Sequence, residues 1–159
     1  MEQRLNYVKL APTGIQAMYR LSKYVEDSGL EHSLIELVKI RASQINGCAY
    51  CIDMHTKDAR AQGETEQRIY LLDAWRETPF YTERERAALA WTESVTLISQ
   101  GQISDEEYAA AREHFSEEEL VNLTMAIIAI NGWNRMAISF RAVPGKYEPQ
   151  KIKTAAKGE

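Results

Sequence analysis

Cysteine is nearly absent from this chain: there are two in 159 residues, Cys48 and Cys51. A secreted disulfide scaffold would carry more, spread further apart, so that class is set aside. Positive charge is in short supply as well. Nineteen Lys and Arg face 23 Asp and Glu, a net charge of −4, whereas a general nucleic-acid binder would want a basic face. Long apolar runs are missing, and no membrane span is expected. The first residues, Met1-Glu2-Gln3-Arg4-Leu5, lack the apolar core of a signal peptide. A cytoplasmic location is the expectation. Histidine is rare too, and His32 and His114 stand apart from the third, His55.

What is there reads as helices, with no internal repeat, low-complexity linker or convincing strand. Leu10-Ala11-Pro12 opens in extended form. A first helix starts at Thr13, with Gln16 in the capping-box position, and runs to Gly29. Ser33 and Glu36 spell a second capping box, ahead of Leu34, Leu37, Val38, Ile40 and Ile45, and Asn46-Gly47 stops that helix. A third starts at or just after Cys48 and reaches Gln62, and a fourth runs from Thr65 to about Trp75. Thr82 caps a fifth over 83–100, Ser104 a sixth over 105–115, and Ser116 a seventh over 117–141. The seventh is apolar on more than one face, which places it centrally or at a subunit interface. Its polar run, Asn131 to Arg135, suggests a buried network or an intersubunit contact. Residues 1–143 are therefore expected to form one all-α domain of about seven helices, followed by a loose tail over 144–159.

The informative segment is Glu36 to His55. With Cys48 at a helix start, Cys51 lies one turn in and His55 one turn further, all on one face within roughly 60°. Cys51 and His55 are spaced so that their side chains meet, while Cys48 and His55 stand about 10 Å apart along the axis. Unpaired N–H groups at a helix start stabilise a thiolate, the reactive form of cysteine. An unperturbed thiol is only ~3% ionised at pH 7, and lowering its pKa by about two units needs ~2.7 kcal/mol. A thiolate of that kind attacks peroxide to give a sulfenic acid, and a neighbouring thiol then closes a disulfide.

Other readings compete. A disulfide staple closing so short a loop gains only ~2 kcal/mol before strain is subtracted. Zinc could be held by Cys48, Cys51, His55 and Glu36, but a second close pair of ligands is missing. Glu36 has capping from Ser33 as an alternative role. Tyr50 and Trp133 read as packing residues.

A glutamate, eleven residues, Cys-x-x-Cys, three residues and a histidine fall on Glu36, Cys48, Cys51 and His55 without insertion. This pattern, with Arg41 to Gly47 beside it, resembles the AhpD-like alkylhydroperoxidases of the carboxymuconolactone decarboxylase-like group, over about residues 15–140. The resemblance implies an all-helical fold, a homo-oligomer (trimer or hexamer), and no bound cofactor; the shortage of ligands separately argues against a required metal. It implies a hydroperoxide substrate and a dithiol or thiol reductant. It also implies Cys51 as the attacking thiol, Cys48 as the resolving one, and a Glu36–water–His55 proton relay. The chain departs from the best-known branch at Tyr50, where that branch has a histidine. Beside the peroxidase stand two alternatives: a thiol-disulfide reductase, and a non-catalytic oligomer with a redox-sensing or metal-binding pair.

Overall fold

The computed structural model describes residues 2–149. Among these residues eight helices follow in order: α1 (Tyr7–Leu10), α2 (Pro12–Glu26), α3 (His32–Asn46), α4 (Ala49–Ala61), α5 (Glu66–Leu71), α6 (Glu83–Thr96), α7 (Asp105–Arg112) and α8 (Glu117–Phe140). A 3₁₀ segment, Leu72–Glu77, continues α5. The all-α expectation holds. The caps at Thr82, Ser104 and Ser116 hold too, each completed as a capping box by a glutamate three residues on.

Several boundaries differ from the sequence reading, for local reasons. α1 was not expected, because four residues carry no readable period. α2 starts at Pro12 rather than Thr13, and its N-cap, Ala11, offers no side-chain cap. Proline suits this first helical position, since the N–H it lacks would be unpaired there. α3 starts one residue before Ser33, capped by the extended backbone of Glu31. Ser33 is therefore inside the helix, and the expected Ser33–Glu36 capping box does not form. The expected fourth helix breaks at Ala74, which has non-helical angles. α6 ends at Thr96, α7 at Arg112 and α8 at Phe140.

α8 packs against α2, α3, α4, α6 and α7, and so runs through the middle of the bundle. Leu123, Ala126, Ile127 and Ile130 are buried along it, against Ile35 and Val38 of α3 among others. Yet Val121 and Ile128 of the same helix are half or more exposed. The helix is both central and, on its outer side, apolar toward solvent. Gly132 leaves room for a side chain of α2: a Cβ there would lie 2.7 Å from Cε at the tip of Met18.

Its polar run forms a buried network. The Asn46 amide donates to Asn131 Oδ1 (3.0 Å) and Asn134 Oδ1 (2.9 Å), joining the end of α3 to α8. Asn131 in turn donates to Thr96 Oγ1, and Asn134 donates to Ser43 Oγ, each at 3.0 Å. These bonds fix the α3–α4 turn against the central helix, and that turn carries the cysteines.

Residues 144–149 of the expected tail lie against α4. Gly145 N–H donates to Asp53 Oδ2 at 2.9 Å, Lys57 donates to the Tyr147 carbonyl at 3.1 Å, and Tyr147 Oη donates to Asp58 Oδ1 at 2.7 Å. The rest of the tail, 150–159, lies outside the described residues.

Candidate active site

Gly47, in the left-handed region at φ 68°, ends α3, and the Cys48 N–H returns to the Ser43 carbonyl at 2.9 Å. That tight turn suits glycine. It makes Cys48 the N-cap of α4, with Cys51 one turn in and His55 one turn beyond. All three are buried, and so is Glu36, one face of α3 away.

Both sulfurs are thiols, each only 1% exposed. They are not equivalent. The Cys48 sulfur faces the Cys51 thiol, the backbone N–H groups of Tyr50 and Cys51, and the Asn134 side chain. Hydrogen bonding from Cys51 outweighs burial and, with the helix-start amides, brings the Cys48 pKa down to about 7. Cys51 is pushed the other way, by giving its proton toward Cys48, by burial, and by the adjacent negative charge. The arrangement thus favours the thiolate on Cys48, as the start of a helix does, whereas the family resemblance implies attack by Cys51.

His55 does not bond to either sulfur, as the helical spacing had suggested it would to Cys51. Its Nδ1 lies 2.9 Å from Glu36 Oε2, and Lys39 Nζ lies 2.8 Å from the other carboxylate oxygen, Oε1. Burial raises the Glu36 carboxyl, but the His55 hydrogen bond and the Lys39 ammonium outweigh it and hold its pKa below the ordinary value. Capping of α3 is not its task. Asp58 adds a second carboxylate, with Oδ2 4.0 Å from His55 Nδ1. Sequence reasoning missed Asp58, Lys39 and Tyr147, and had Asn134 only as part of a polar run expected to form a buried network or an intersubunit contact. A signal for the first two was present, since each lies three residues from a named site residue on the same helix. Tyr147 had no local one.

Glu36, His55 and Asp58 offer ligand atoms within 4.8 Å of one another, a geometry that could hold a metal ion. This set differs from the four residues considered in the sequence, because it contains neither cysteine. Lys39 already occupies one oxygen of Glu36, and its ammonium repels a cation there.

A cavity of about 630 Å³ opens beside this cluster, lined by residues of α1, α2, α3, α4 and α8 and by the segment after α8. Tyr50 and Trp133, expected only to pack, both face it. So do His55 and Glu36, while neither sulfur does.

The model of the carboxymuconolactone decarboxylase family matches residues 12–94, which include the whole Glu36–His55 segment. The chain belongs to this family. It is 50% identical over 139 residues to the uncharacterized protein YdfG of Bacillus subtilis, a match that spans 87% of this chain and 95% of YdfG. A crystal structure from Agrobacterium tumefaciens, of a protein of unknown function proposed as an antioxidant defence protein AhpD, is 49% identical. It superposes with a TM-score of 0.88 over 92% of this chain and 100% of that one. A peroxidase-related protein with an AhpD core from Ralstonia eutropha shares the fold at 21% identity, with a TM-score of 0.77 over 87% of this chain and 74% of that one. The AhpD-like fold is thus established for this member of the family.

Proposed function

We propose that this protein is a thiol-dependent peroxidase that reduces hydroperoxides through Cys48 and Cys51, in antioxidant defence. The observation that carries the reading is the placement of the Cys48 sulfur at the start of α4, with a second thiol against it. A pKa of about 7 makes roughly half of Cys48 thiolate near neutral pH. The AhpD-like kinship supports the same reading.

The Cys48 thiolate attacks one oxygen of the peroxide, and the O–O bond breaks. The oxygen attacked stays on sulfur as a sulfenic acid. The departing alkoxide takes up the proton that Cys48 released on ionising, and leaves as the alcohol. Cys51 then loses its proton and attacks the Cys48 sulfur, so that the disulfide forms and water departs. In this reading His55, one turn from Cys51 on α4 and held by Glu36, takes up that proton. A dithiol reductant returns two electrons and two protons to reopen the disulfide.

Rapid mixing of the reduced protein with an organic hydroperoxide, followed by mass spectrometry, tests the reading. Sulfenate and then an intramolecular disulfide are expected. Two thiols that stay free in excess hydroperoxide would remove it, and rapid oxidation by a disulfide substrate alone would replace it with thiol–disulfide exchange.

A further inference from the structure

Fewer functions fit the cavity than the thiol pair alone would allow. Hydrogen peroxide needs little room, and a volume of about 630 Å³ falls within the range of small-molecule sites. Five of its walls are aromatic: Tyr7, Tyr19, Tyr50, Trp133 and Tyr147. Tyr19 and Trp133 form a tilted pair with centroids 5.1 Å apart, and Ser22 holds the indole N–H at 2.9 Å, so one wall is fixed. Aromatic walls favour flat aromatic partners, which meet them face-offset or edge-on.

The charges restrict the occupant further. Glu26, Glu36 and Asp58 line the cavity with Lys39 as the one lysine or arginine among the described lining residues. Lys39 is committed to Glu36. Three carboxylates against one ammonium leave an excess of two negative charges when the histidines are neutral. A carboxylate on the occupant would meet repulsion and find no free cation to pair with. The polar end of the cavity is at His55 and Glu36, and His55 stands one turn of α4 from Cys51.

We infer that the cavity is the binding site for an uncharged, aromatic hydroperoxide, with Trp133 and Tyr19 as specificity-determining residues. The inference rests on the peroxidase reading for its chemistry, but not for its binding. The aromatic group occupies the wall formed by Tyr19 and Trp133, and the hydroperoxide group faces Tyr50 and His55, lining residues of α4 that flank Cys51. Because neither sulfur lines the cavity, attack by Cys48 requires that lining to open. Fatty-acid hydroperoxides, which carry a carboxylate, are selected against.

Binding is tested with unreactive probes. Isothermal titration of the reduced protein with 2-phenyl-2-propanol is expected to show one site, and 2-phenylpropanoate is expected to bind about tenfold more weakly or not at all. Tyr19→Ala, at a half-exposed position that folding tolerates, should weaken the alcohol by about tenfold, with Trp133→Phe retaining more of the affinity than Trp133→Ala. Turnover is tested with cumene hydroperoxide, tert-butyl hydroperoxide and hydrogen peroxide. Tyr19→Ala should raise KM for the aromatic substrate about tenfold, a larger change than for tert-butyl hydroperoxide. Absence of alcohol binding, or equal binding of alcohol and carboxylate, overturns the inference whatever the thiols do. Alcohol binding without thiol oxidation by any of the three peroxides upholds the aromatic site and removes the peroxidase reading instead.

Discussion

His55 Nδ1 and Glu36 Oε2 meet at 2.9 Å across the packed faces of α3 and α4, nineteen residues apart in the chain. Both side chains are more than nine-tenths buried, so each supplies what the other would otherwise take from water. His55→Ala should therefore cost about 2 kcal/mol of stability, as a buried carboxylate loses a hydrogen bond. Urea unfolding measures it. If the reaction follows the course proposed, the same variant should also accumulate the Cys48 sulfenic acid, because Cys51 loses the group placed to take its proton.

The Glu36 carboxyl also gives stability a pH dependence. Its pKa is lower in the folded chain than the ordinary 4.5, so the unfolded chain binds the proton more readily. The contribution is complete above the ordinary value and is lost as pH falls through the folded value. Glu36→Gln should flatten the acid limb of stability against pH, measured by denaturation at a series of acidic pH values.

Cysteine roles separate in single variants. Thiolate absorbance should titrate near pH 7 in the native protein, where the Cys48 pKa lies, and peroxide reactivity should climb through the same range and then level off. Cys51→Ser should trap sulfenic acid at Cys48, and Cys48→Ser should leave a thiol that reacts slowly at neutral pH. A sulfenic acid found at Cys51 in Cys48→Ser, with none at Cys48 in Cys51→Ser, would restore the roles that the family likeness implies.

Asn134 joins the redox pair to the scaffold. Its amide donates to Ser43 and its carbonyl accepts from Asn46, while the side chain also faces Cys48. Asn134→Ala leaves Ser43 and Asn46 short of partners in the interior, for about 1–3 kcal/mol. It should also raise the Cys48 pKa, read from the rate of alkylation against pH.

Val121 and Ile128 are seven residues apart and share one outer face of α8, at 60% and 50% exposure. We propose that a second copy of the chain covers this face. Light scattering should then report an oligomer, and Val121→Ser with Ile128→Ser should shift it toward smaller species. A monomer at micromolar concentration would dispose of the idea.

The parts of the fold written in local chemistry were legible: the Ser and Thr caps of α6, α7 and α8, the Gly47 stop, and the helical spacing from Cys48 to His55. The failures have physical causes. The Ser33 cap was misplaced because the chain turns at Gly29, with φ 87°, and buries Leu30 before entering α3. The helix therefore begins earlier than its best capping side chain. Cys51 and His55 were paired from spacing alone, but a stronger partner for His55, Glu36, sits on the neighbouring helix. The Tyr147–Asp58 bond spans 89 residues and leaves no periodic trace.

Tyr7, in α1, and Tyr147, in the segment after α8, line the same cavity. A chain partway through synthesis can already hold α3 and α4, and with them both thiols, His55 and Glu36. It lacks Trp133 and Tyr147, and so has no finished wall to receive a substrate. The reactive pair precedes the cavity in time, and residues made long after the thiols complete its wall.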